Sequence, residues 1–164
     1  MKPAPRWTRT FYRILAAEVS AVTRYYDRIT HLRTQEHESD DLLPLVDCPA
    51  KAVAASAAEV PDASGERDRR SAVLLNGAFN YSYDIQAILQ ALLPRLSRTS
   101  RVIAVTYNAY YKWLFLLLAK LGLTRSREFT TFVTLNDLRQ LATISGYELV
   151  RLRGACYFPF SLLG

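Results

Sequence analysis

Glycine is scarce and scattered. The six glycines, Gly65, Gly77, Gly122, Gly146, Gly154 and Gly164, never stand closer than eight residues apart. A cradle for phosphate or a nucleotide needs clustered glycines, because backbone amides must approach the ligand with no Cβ in the way. No G-x-G-x-x-G, G-x-x-x-x-G-K-[ST] or G-x-S-x-G can be written anywhere in the chain. Histidine is equally thin. Only His31 and His37 occur and neither sits in H-E-x-x-H, so a zinc protease is excluded. A serine or cysteine triad would have to borrow one of them from an acidic loop, and none is expected. Cys48 and Cys156 are too far apart for a metal knuckle and too few for a disulfide scaffold, so a reducing, cytoplasmic setting and no metal are expected. Long apolar runs are missing too. The longest, Trp113–Ala119, spans seven residues, against roughly 20 for a membrane span. Lys2, Arg6 and Arg9 lead into no uninterrupted apolar run, so no secretory signal is expected.

What is present makes a domain. With 164 residues, half of them apolar or aromatic, the chain has material for one hydrophobic core. The net charge of +6 is uneven: residues 1–33 hold seven bases and two acids, residues 34–50 five acids and no base, residues 71–164 ten bases and four acids. A basic domain is drawn to anions, but these arginines are scattered singly with no stacking platform among them. Nucleic-acid binding is not expected.

Between Arg9 and Arg33 the apolar positions Phe11, Ile14, Leu15, Val19, Val22, Tyr25, Tyr26, Ile29 and Leu32 recur at three and four, which predicts one amphipathic helix. Residues 34–70 then read as a connecting segment. It is acidic at first, passes Pro44 and Pro49 with a short apolar patch at Leu42–Val46, and ends in the turn-rich PDASGERDRR. Within it Lys51–Val60 fits a strand or a helix equally. The third part, residues 71–164, is clearer. Ser71–Leu75 predicts a strand broken at Asn76-Gly77, and Asp84 an N-cap for a helix carrying Ile85, Ile88, Leu89, Leu92, Leu93 and Leu96. Arg101–Tyr107 predicts a buried strand, and Ala109–Leu121 a helix closed by Gly122. Thr134-Leu-Asn-Asp137 has capping-box spacing for a helix ended by Gly146, and Tyr147–Arg153 alternates as a strand. This succession predicts an α/β architecture with mostly parallel strands, Ser71–Leu75 and Arg101–Tyr107 adjacent and central, joined by the helix after Asp84.

The order and spacing of these pieces resemble the C-terminal half of class I S-adenosylmethionine-dependent methyltransferases. The matching segments are VLLNGAFNYSYD (Val73–Asp84), IQAILQALLPRL (Ile85–Leu96), RVIAVTYN (Arg101–Asn108) and TLNDLRQLATISGYELVRL (Thr134–Leu152). RYYDRI (Arg24–Ile29) is similar to the helix before the first strand of such domains, and Asn108 followed by AYYKW is closest to methyltransferase domains found beside glycosyltransferases. The resemblance implies a truncated Rossmann-like sheet behind an N-terminal amphipathic helix.

A complete member carries a glycine-rich loop after its first strand and an acid after its second, for the methionine and ribose parts of the cofactor. Here Gly65 is the first glycine, and Asp47 is the acid that offers itself as a relic. Three strands, two helices and their loops need about 60 residues, and 37 stand between Thr34 and Arg70. The expectation is therefore that this part of the sheet and its loop are missing. By resemblance, Asn76, Gly77, Ala78, Phe79, Asn80 and Tyr81 form the cofactor site for S-adenosylmethionine, and Asn108, Tyr110 and Tyr111 line the acceptor side of the same crevice; no catalytic residue is assigned. The plainer readings stand beside these: Asn76-Gly77 as a turn, Asp84 as a cap, Tyr110 and Tyr111 as core aromatics. Two functions follow: a methyltransferase acting on an unknown acceptor, impaired as an isolated chain, or a non-catalytic remnant serving as a binding module. Trp113–Leu118 and the uncovered helix faces invite a homodimer or a complementing protein.

Overall fold

The computed structural model describes residues 6–34, 41–66, 68–81, 84–106 and 133–154. Helix α1 (Arg6–Thr23) leads into strand β1 (Arg28–Leu32), followed by β2 (Ala50–Ala54), β3 (Ser71–Asn76), the one-turn helix α2 (Ala78–Tyr81), α3 (Ile85–Leu92), β4 (Arg101–Val105) and α4 (Leu135–Ile144). The four strands form one all-parallel sheet in the order β2-β1-β3-β4. Parallel neighbours need crossovers, and the crossover from β3 to β4 is α3, as the sequence predicts.

Alternation along the strands separates two cores. Ile29, Ala72 and Leu74 face α1, packing against Leu15, Ala16, Val19, Leu42, Leu43, Val46 and Cys48. Leu32, Ala54, Val73 and Leu75 face the opposite side, with Ile85, Leu89 and Leu92 of α3 and with Leu138 and Leu141 of α4. Helices on both faces of a parallel sheet make the fold Rossmann-like α/β. No helix among the described residues is long and apolar enough to cross a membrane.

Three expectations need correction. The predicted first helix breaks at Thr23, so Ile29 and Leu32 belong to β1 and the RYYDRI segment is a turn running into a strand. The spacing of Ile29 and Leu32 suits either element. What decides is long-range: β1 is flanked by β2 and β3 and buries Ile29, Thr30, His31 and Leu32. Asp27 secures the switch, donating its N–H to Arg70 O (2.9 Å) and accepting the Arg70 N–H on its carboxylate (2.8 Å). Thr23 closes α1 with a hydroxyl shared between Val19 O and Asp47 O (3.2 and 2.9 Å). Ile14, placed on the inward stripe by spacing, is exposed.

Second, the sheet is less truncated than the residue count implies. β1 comes out of the predicted helix and β2 out of the undecided Lys51–Val60 stretch, so two strands precede Ser71. β4 in turn lies at the margin of the four strands, not at the centre. Short of cover among the described residues, its residues are half-buried or exposed rather than buried as the apolar run predicts. Third, Tyr147–Arg153 is not a strand. Its alternation finds no neighbour among the described strands, and Leu149, Val150 and Leu152 are exposed.

The caps follow their signals. The Asp84 carboxylate accepts from Ala87 N (2.8 Å), and Thr134 and Asp137 close a reciprocal box at the start of α4. Gly146 takes φ +80° past the end of α4, a conformation other residues avoid. Helix α3 stops at Leu92 and tightens into a 3-10 turn over Leu93–Arg95, where Pro94 has no N–H to continue it. The predicted helix Ala109–Leu121 with Gly122, the Trp113–Leu118 run, His37 and Cys156 lie outside the described residues.

Candidate functional site

In an open parallel sheet, ligands sit outside the carboxyl ends of the strands, where the direction of winding reverses. Here the chain passes from β1 outward to β2, then returns to β3 on the other side of β1 and continues to β4. The reversal lies between β1 and β3. Extending the register Arg28↔Ser71 along both strands brings Arg33 level with Asn76, so the crevice is walled by Arg33-Thr34 and Asn76-Gly77.

The β3 side is built by a forced turn. Gly77 adopts φ +93°, which a side chain would resist. Its N–H donates to Val105 O (3.3 Å), tying the strand tip to β4, and its carbonyl accepts from Asn80 N (2.8 Å) to close α2. Asn76 ends β3 half-buried, opposite Val105 in register. Ala78 and Phe79 turn their side chains into the core that holds Leu75 and Ile85, and Asn80 is fully buried. Tyr81 ends α2. The structure thus brings residues 76–81 together at one strand tip, with Asn76 half-buried, Gly77 and Asn80 buried, and Ala78 and Phe79 committed to packing. Asn108, Tyr110 and Tyr111 lie outside the described residues.

The other two tips carry residues the sequence reading did not single out. Arg33 follows β1 directly, its N–H donating to Ala54 O (2.9 Å) so that the ends of β1 and β2 stay paired. Glu59 follows β2, and its carboxylate accepts from Ala55 N (2.8 Å), which holds it at the β2 tip. Its position became visible only once Ala50–Ala54 was known to be a strand. Asp47, in contrast, precedes β2 and so belongs to the amino end of the sheet, where its backbone bonds Ser20 and Thr23. It cannot serve as an acid at the carboxyl ends.

His31 is fully buried inside β1, not in an acidic loop. Cys48 is buried and hydrogen-bonds Tyr26 O (3.4 Å), and burial pushes its thiol up, away from the thiolate form. Among the described residues no cluster of His, Cys, Asp and Glu could hold a metal. The chain matches no protein-family model, no curated protein and no solved structure.

Proposed function

We propose that the chain is a methyltransferase-family protein whose crevice between β1 and β3 takes S-adenosylmethionine weakly, and that methyl transfer to an acceptor, where it occurs, takes place at the Asn76–Tyr81 tip. The observation that carries this reading is the reversal of winding between β1 and β3 beside the Gly77 turn, with an acid, Glu59, at the tip of β2 on the far side of β1. The residues fit the cofactor in part. A carboxylate at the β2 tip suits ribose hydroxyls, and the β3 tip places the half-buried Asn76 beside the Gly77 turn. The β1 tip does not fit: Arg33 and Thr34 stand where close backbone approach to the methionine part would need glycines. When bound, the cofactor supplies an electrophilic methyl. The protein's task is in-line positioning and exclusion of water, which needs no strong base.

The mismatch at Arg33-Thr34 favours a second reading, a non-catalytic binding module that keeps the sheet and has lost tight cofactor binding. Losing several contacts of about 1–3 kcal/mol each weakens affinity by orders of magnitude. Isothermal titration of the purified chain with S-adenosylmethionine separates the readings. The expected dissociation constant is above about 100 μM. A micromolar value, lost in Asn76→Ala with an unchanged circular dichroism spectrum, replaces the weak site with a full enzyme site. No heat at about 1 mM cofactor removes the cofactor reading and leaves the binding module.

A further inference from the structure

β2 is the outermost of the described strands on its side of the sheet, and from Ala50 to Val53 it is exposed, with only Ala54 buried. The register shows which backbone groups are unused. Ala50 N donates to Asp27 O (3.2 Å) and Ala54 O accepts from Arg33 N (2.9 Å). Alternation along a parallel pair then turns both groups of Ala50, Ala52 and Ala54 toward β1, and those of Lys51 and Val53 outward. An edge lysine normally blocks pairing with another chain. Lys51 instead folds back and donates its Nζ to Pro44 O (3.0 Å).

We propose that this edge is a dimer interface, in which β2 pairs antiparallel with β2 of a second copy about a two-fold axis at Ala52. That register sets Lys51 opposite the partner's Val53, and Val53 opposite the partner's Lys51. Both residues point outward, so each pair exchanges two N–H···O=C bonds. An isologous interface must be self-complementary, and the neighbouring registers are not. An axis at Lys51 opposes two lysines and sets Val53 against Pro49, which has no N–H to give. An axis at Val53 sets Lys51 against Ala55, whose N–H is already held by Glu59. An axis between two residues pairs outward groups with inward ones. The occupant is a second copy of this chain because the strand complements itself at Ala52, where two small side chains meet.

Sedimentation equilibrium of the full chain, from about 1 to 100 μM, tests the interface. Twice the 18.6 kDa chain mass is expected at the upper end. Val53→Pro removes one outward N–H while keeping the β1–β2 ladder, and is expected to be monomeric with an unchanged circular dichroism spectrum. Ala52→Cys places two thiols across the axis, where opposed Cα atoms stand about 4.5 Å apart, within disulfide reach. It is expected to give a covalent dimer on mild oxidation that the native chain does not. A native chain that stays at monomer mass throughout overturns the proposal. So does a Val53→Pro variant that dimerises unchanged, or an Ala52→Cys variant no more cross-linked than the native chain. Should Val53→Pro fail to fold, the cross-link decides.

Discussion

β3 and β2 run parallel in the same sheet, one strand apart, yet they share almost nothing in sequence. β3 is SAVLLN, with every residue from Ser71 to Leu75 buried. β2 is AKAVA, with only Ala54 buried. The difference lies in what covers them. β3 has α1 on one face and α3 and α4 on the other, whereas β2 has, among the described residues, one neighbouring strand and little cover. A continuous apolar run marks a strand buried on both faces in β3, but not in β4, whose RVIAV stretch is only partly buried at the other margin of the four strands. Its absence says nothing about a strand at an open edge. The same contrast separates the two proposed surfaces: the tip of β3 is fixed by packing beneath it, while the edge of β2 is defined by its unused backbone groups.

The sharpest way to break this comparison is to empty the core under each strand. Leu75 is fully buried against α3, and Leu75→Ala removes apolar contact and leaves a cavity. A loss of about 2–5 kcal/mol is expected in urea unfolding. Val53→Ala on the exposed strand should stay within about 0.5 kcal/mol. Equal losses at the two sites would mean that β2 is covered after all.

A smaller effect tests the cover itself. Helix α4 packs Leu138 and Leu141 over the β3 side, and its first turn depends on the Thr134–Asp137 box (Thr134 N to the Asp137 carboxylate 2.8 Å, Asp137 N to Thr134 Oγ1 3.3 Å). Thr134→Ala should cost about 1 kcal/mol. Hydrogen bonds from the Thr134 side chain, then from its backbone, hold the Asp137 carboxyl below its ordinary value. A depressed carboxyl favours the folded state above the unfolded pKa of about 3.9, and that contribution fades as pH falls through the folded value. The gap between native and Thr134→Ala should therefore narrow in acid.

What could be read in the sequence follows the same physical line. The strands at Ser71 and Arg101, the Asp84 cap, the Thr134 box and the Gly77 and Gly146 breaks were legible because each is encoded within a few residues. β1 was not, because RITHL carries a helical spacing by coincidence and becomes a strand only through pairing with β3, more than 40 residues on. β2 was ambiguous because an uncovered strand needs no apolar pattern. The place of Asn76–Tyr81 at a strand tip was legible because it follows a legible strand. Arg33 and Glu59 were missed because their places depend on β1 and β2. Tyr147–Arg153 failed in the opposite sense: its pattern of alternation is present, but the described sheet supplies no partner.

The finest test concerns how the cover is pinned. Tyr147 lies just past α4 and packs against the core under β3, and its hydroxyl donates to Leu89 O (2.8 Å) on α3. That carbonyl also accepts from Leu93 N, so Tyr147→Phe leaves it with a partner. The expected cost near neutral pH is therefore modest, about 0.5–1 kcal/mol. The pH dependence reports the burial of the hydroxyl. Burial pushes the phenol up to about 12, against about 10 in the unfolded chain. With the folded value raised, the contribution is complete below about pH 10 and is lost as pH climbs toward 12, because the unfolded chain releases its proton first. Urea unfolding of the native chain and of Tyr147→Phe at about pH 8 and pH 11 should show the gap between them shrinking at the higher pH. A gap that stays constant would mean that the Tyr147 hydroxyl is not kept from water in the folded chain.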